Sequence, residues 1–104
     1  MVLLDKVKKK IDYLHTCSAA YILAHAAWSA CDHRLLPGPS ALEISCSLDQ
    51  DNYDLVVQLQ RLSVCTDYDN SAQAEMLRWL HSAGYSKYVA KKVKSTMKKL
   101  VDWE

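Results

Sequence analysis

The run Ala19-Ala20-Tyr21-Ile22-Leu23-Ala24-His25-Ala26-Ala27-Trp28 restricts the folding of this chain more than any other feature. Only His25 interrupts its apolar character, and no glycine or proline breaks it. A helix that is apolar nearly all round has to be covered on every side. Its alanines allow neighbouring helices to approach closely. Residues 16–31 are therefore expected to form the central core element. The competing use of the same surface is a homodimer interface through this Ala-rich 16–31 helix. The stretch is too short for a membrane span, which needs about 20 apolar residues.

The rest of the chain is sparsely punctuated. Gly38, Gly84, Pro37 and Pro39 are its only glycines and prolines among 104 residues. That scarcity favours long helices over a many-stranded sheet. The expected fold is mainly α, a compact single domain over 1–104 with four or five helices. From Leu3 to about His33 nothing interrupts a helix, and Leu3, Val7, Ile11 and Leu14 mark its apolar stripe. The Leu35–Ser40 stretch stops it, because proline cannot continue a helix and biases the residue before it toward extended backbone.

Residues 41–62 fit two patterns. Leu42, Ile44, Cys46 and Leu48 alternate with polar residues, as do Tyr53, Leu55, Val57 and Leu59 across the Asp49–Asn52 turn. Such alternation describes a β-hairpin in 41–62. Ser40 with Glu43 instead makes a capping box, and Asp51 can cap a second helix. Helix is favoured for 52–65, while 41–48 stays open between the two. Further on, Asn70 with Gln73 suggests a capped start to a helix over 71–83. Gly84 ends it, and Ser86 caps a last helix over 86–100.

The formal net charge of +1 hides a division along the chain. Residues 1–40 carry five Lys/Arg against three Asp/Glu, residues 41–75 one against seven, and residues 76–104 seven against two. Charge separated in this way can create oppositely signed surfaces. The bland outcome is that the acidic middle neutralises the basic end within the fold. In the last helix, Lys87, Lys91, Lys94 and Lys98 are spaced by four, three and four residues and share one face. Val89, Val93, Met97 and Leu100 recur on another.

Specific chemistry finds little support. His15 with Cys17, and Cys31 with His33, are donors that zinc accepts. Each pair is two residues apart, about 200° around a helix, so neither can chelate one ion without unwinding. The acidic runs beginning at Asp49 and Asp67 lack the glycine and glutamate of a calcium-binding loop. No nucleophile elbow or phosphate-binding glycine loop is present. We therefore expect no metal, no cofactor and no enzymatic activity. Cys17, Cys31, Cys46 and Cys65 lack a disulfide-framework spacing and are expected as free thiols in a cytoplasmic protein. Trp28, three residues before Cys31, fits poorly with signal-peptide cleavage there.

The expected function is protein interaction: a regulator, an adaptor or an inhibitor of a larger assembly. Its expected contact residues are Lys87, Lys91, Lys94, Lys98, Tyr85, Tyr88 and Trp79. Trp103 joins them as a residue type enriched at interaction hot spots. The alternative is a nucleic-acid-binding protein that uses 71–100 as a helix-turn-helix with a basic second helix. Against it, the last helix carries no arginine, the usual reader of guanine.

Overall fold

The structure is a computed structural model. It describes the backbone of residues 1–15, 17–34 and 36–102, and the side chains of these residues up to Lys98. Thr16, Leu35, the Lys99 and Leu100 side chains and Trp103 lie outside the described residues. Six helices are present among the described residues: α1 (Val2–Leu14), α2 (Ser18–Cys31), α3 (Ala41–Ser47), α4 (Gln50–Gln60), α5 (Asn70–Ser82) and α6 (Ser86–Asp102). One 3₁₀ turn, Leu62–Val64, follows α4. There is no strand among the described residues, so 41–62 is not a hairpin but two helices.

α2 is the post around which the others stand. It packs against α1, α3, α4, α5 and α6. Ala20, Leu23, Ala24 and Ala27 have no measurable exposure. The alanine surface is consumed inside the protomer, which removes the expected homodimer interface. α1 brings Leu3, Leu4, Val7 and Ile11 to the core. α4 brings Val56 and Leu59, and α5 brings Met76 and Leu80. α6 is anchored mainly on α2, with Val89 buried.

The expected single helix from Leu3 to His33 is two helices. At 1.5 Å per residue it would be about 46 Å long, whereas the longest dimension of the chain is 39 Å. Turning between Leu14 and Ser18 lets the apolar stripe of α1 fold back onto α2. The Cys17 amide donates to the Leu14 carbonyl at 2.9 Å, holding the turn.

The acidic middle explains the helix starts. Ser40 Oγ accepts the Glu43 amide at 3.1 Å and caps α3. Asp49, not Asp51, caps α4, accepting the Asn52 amide at 2.9 Å. Asp69, not Asn70, caps α5, accepting the Ser71 amide at 2.8 Å. Asp49 and Asp69 each carry a charge that also suits a helix N-terminus. At the α5 end, Gly84 adopts φ +94°, a left-handed conformation that favours glycine. The Gly84 amide donates to His81 and the Tyr85 amide to Leu80, both carbonyls, at 3.1 Å. This paired bonding is a Schellman stop. Val89 donates to the Tyr85 carbonyl, so Tyr85, not Ser86, occupies the cap position of α6.

Ala27→Leu is expected to lower unfolding free energy by about 1–3 kcal/mol, because three extra carbons enter a closed helix interface. Urea denaturation monitored by circular dichroism measures it. A loss below about 0.5 kcal/mol, the usual range for surface changes, would show that α2 is not enclosed there.

Candidate functional site

α6 presents two unlike sides. Val89 is buried, Val93 is half-buried, and both face α2. Lys87, Lys91, Lys94 and Lys98 stand on the opposite, exposed crest. Between Lys87 and Lys98 the crest runs about 16 Å. Two ion pairs are formed among the described residues, Arg34 with Asp32 and Lys92 with Glu43. None of the four crest lysines takes part in either. Several acids of the middle segment are engaged elsewhere: Asp49 and Asp69 cap helices, Asp54 accepts a hydrogen bond from Gln50, and Asp67 accepts the Val2 amide. Among the described residues, intramolecular neutralisation reaches α6 at Lys92, whose Nζ lies 3.3 Å from Glu43 Oε1.

On one flank of the crest, a groove of about 240 Å³ runs between α6, the end of α2 and the segment that leaves it. Trp28, Leu36, Val89, Ala90 and Val93 form its apolar walls, and Lys94 and Arg34 stand at its rim. Met97 is 51 % exposed on the same helix. The Trp28 wall is fixed by Asp32. Its carboxylate accepts the Trp28 indole Nε1–H at 3.1 Å and the Arg34 guanidinium at 2.7 Å. The Arg34 hydrogen bonds, reinforced by the Arg34 amide and the indole, hold the Asp32 carboxyl down to about 2 despite its partial burial. A carboxylate at the C-terminus of α2 opposes the helix dipole, and Arg34 offsets that cost.

The expected aromatic contacts do not gather here. Tyr85 is buried, its ring 5.2 Å from Tyr21 in an edge-on arrangement, and burial pushes its phenol up. Tyr88 is half-buried on the other flank of α6, 5.0 Å from Tyr21, with Lys92 Nζ 5.6 Å from its ring centroid. Trp79 belongs to α5 and faces α1, where Lys8 Nζ lies 5.3 Å from its ring. Of the seven expected residues, only the four lysines share a face. Trp28, Leu36 and Ala90 were not among them. The recurrence of Val89, Ala90, Val93 and Met97, wider than a buried stripe requires, was a signal for Ala90 alone.

Cys17 and Cys46 are exposed, Cys65 is half-buried and Cys31 is buried, and none is in a disulfide. Burial, with Asp32 nearby, pushes the Cys31 thiol up to about 12, so it stays protonated at neutral pH. Among the described residues, no three His, Cys, Asp or Glu side chains gather as a metal site, and no helix is long and apolar enough to cross a membrane. The chain matches no protein family model, no curated protein and no solved structure.

Because Asp32 titrates below its ordinary value of 3.8, its bonds to Trp28 and Arg34 persist above that pH. They are lost as the pH falls toward about 2. The Trp28 indole proton resonance is expected to shift across that window, and Asp32→Asn is expected to abolish the shift. An indole resonance indifferent to both would show that Asp32 does not hold the groove wall.

Proposed function

We propose that this protein is a non-enzymatic interaction module, a regulator, adaptor or inhibitor, whose α6 side binds an acidic, partly apolar segment of another protein. The observation that carries this reading is the crest of Lys87, Lys91, Lys94 and Lys98, which form no ion pair among the described residues, beside an apolar groove with a fixed tryptophan wall. An apolar centre with a charged rim is how protein interfaces are commonly built. Carboxylates of the partner meet the lysines, and its apolar side chains enter between Trp28, Val89 and Val93. The acidic partner supplies carboxylates that the fold does not bring to the crest among the described residues, where Asp49 and Asp69 cap helices and Glu43 pairs with Lys92.

The nucleic-acid alternative draws on the same lysines, which suit phosphate as well as carboxylate. It is the weaker reading. α6 has no arginine up to Asp102. Its main packing partner is α2, not α5, unlike the mutually packed helices of a helix-turn-helix.

Two variants separate the readings. Reversing Lys87, Lys91, Lys94 and Lys98 together to glutamate is expected to weaken partner binding at least about tenfold, or about 1.4 kcal/mol. The fold is expected to survive, because exposed substitutions usually cost under about 0.5 kcal/mol each. Ala90→Arg fills the groove while adding a cation. It is expected to weaken a protein complex that uses the groove and to strengthen one held by charge alone. Capture from the native host with the parent chain and both variants supplies the measurement, with and without nuclease. A complex that is nuclease-sensitive, with a log–log salt slope of about −0.9 per phosphate contacted, would replace the protein reading by the alternative. Unchanged capture by the quadruple variant would show the crest to be only a solvated face.

A further inference from the structure

His25 is a polar side chain inside an apolar helix, and the interaction site on α6 does not use it. Its exposure is 1 %. Its Nε2 lies 2.9 Å from the Pro37 carbonyl oxygen. A carbonyl only accepts, so Nε2 carries the proton. Nδ1 is then a bare acceptor in the neutral ring, and it has no hydrogen-bond partner in the protein. Ser29, one turn further along α2, donates its hydroxyl to the same Pro37 oxygen at 3.0 Å. Two α2 side chains thus hold one carbonyl, and through it the segment 36–40.

At its far end that segment is held by Ser40, which caps α3 and accepts the Glu43 and Ile44 amides. Leu36 to Pro39 have no helical or strand bonding, and the prolines at 37 and 39 remove two amide donors. Beneath the segment is a cavity of about 370 Å³ bounded by α2, α4 and the 3₁₀ turn. Gly38 and Pro39 form one wall of that cavity, opposite Val56, Leu59 and Leu62, with Ala26 and Ser29 contributed by α2.

We propose that residues 36–40 are an acid-released strap: protonation of His25 frees the Pro37 carbonyl from α2 and opens the cavity between α2 and α4. A second proton on the ring would sit on Nδ1, a buried N–H without an acceptor, on a ring that now carries a charge. Moving the strap outward admits water to both. The surrounding charges divide. Glu43 of α3 favours the cationic ring, whereas Lys92 of α6 opposes it. The Tyr88 ring of α6 stands edge-on to the imidazole at 6.4 Å. The strap itself, Leu36-Pro37-Gly38-Pro39-Ser40, brings no titratable side chain. Burial is the largest influence: it outweighs the Pro37 hydrogen bond, which by itself favours the cationic ring, and lowers the affinity of the imidazole for a proton below its ordinary 6.5. The closed strap is therefore fully favoured above about pH 6.5. It loses that advantage as the pH falls below 6.5 toward the lowered value of His25, because the opened state binds the proton more readily.

Nuclear magnetic resonance titration of the full chain from pH 8 to pH 5 tests the strap. The ring nitrogens of His25 should report the Nε2–H tautomer at high pH. The Gly38 and Ser40 amides should shift with the same midpoint as that ring, and the Val56 and Leu59 methyls should follow. His15, His33 and His81 are exposed and serve as internal references. His25→Gln keeps a donor for Pro37 but does not titrate, and it should remove the transition at Gly38 and Ser40. Gly38 and Ser40 amides that ignore the His25 midpoint would overturn the proposal. So would His25 titrating only when all amides collapse together, since release would then be global unfolding. If His25→Gln does not fold, the titration of the parent chain decides the matter alone.

Discussion

Everything in this fold depends on covering one helix. α2 has apolar side chains around nearly its whole circumference, and five other helices supply the cover. Its small residues decide how near they come. At Ala20, Ala24 and Ala27 no side chain reaches beyond the β-carbon, so partner helices can approach closely, and Val7, Ile11, Leu59 and Leu80 join these alanines in one buried cluster. A short chain has little surplus stability, and close contact over one central helix is an economical way to reach native packing density. The arrangement also sets what remains for function. With its core helix largely enclosed, the protein offers partners the outer faces of the covering helices, the segments between them and, at the end of α2, Trp28.

Charge follows the same division between enclosed and free. The chain segregates its acids to 41–75 and much of its basic charge to 76–104. Opposite charges so placed would ordinarily be expected to find each other. Helix starts compete for the acids. A short helix leaves its first amides unsatisfied, and α4 and α5 each solve this with an aspartate. Glu43 remains and takes Lys92, which lies on the flank of α6 nearest α3. The crest lysines are exposed, and among the described residues none of them has an ion-pair partner. Among these residues, internal neutralisation on α6 is thus limited to Lys92.

What was legible in the sequence follows from how local each signal is. The burial of α2 could be read directly, because ten consecutive residues, all apolar except His25, leave no polar face. Gly84 as the α5 stop and the shared face of the four lysines are equally local. The turn between α1 and α2 was hidden, since no glycine or proline marks 15–17 and only tertiary packing favours folding back. Over α3, two turns are too few for periods of 2 and 3.6 to be told apart. The alternation of Leu42, Ile44, Cys46 and Leu48 looked like a strand although only Ile44 is buried. Asp51 and Asn70 lost the cap positions to Asp49 and Asp69, acids two and one residues earlier. Tyr85 was placed on the surface by its proximity to the lysines, but the left-handed turn at Gly84 sends the next residue inward. Trp28 and Leu36 could not be assigned to a site with α6, because they come to it from 50 or more residues away.

The segment from Asp32 to Ser40 joins the two regions of interest. Asp32, Arg34 and Leu36 build the wall and rim of the α6 groove, and Pro37, Gly38 and Pro39 close the cavity on the other side of α2. Trp28 and Ser29 are consecutive residues of α2 that face these two places, one fixed by Asp32 and the other holding Pro37. Leu36 and Pro37 are joined by one peptide bond, so the carbonyl held by His25 and the apolar wall of the groove cannot move independently. The nearest fixed point on the groove side is the Asp32–Arg34 pair, four residues before Leu36. A displacement of Pro37 of more than a few ångströms therefore has to be absorbed by Leu36 or by the residues between. The proline at 37 narrows the choice, because it fixes its own φ and restricts the residue before it to extended backbone. Leu36 is the residue through which the state of the strap reaches the surface that the lysine crest overlooks.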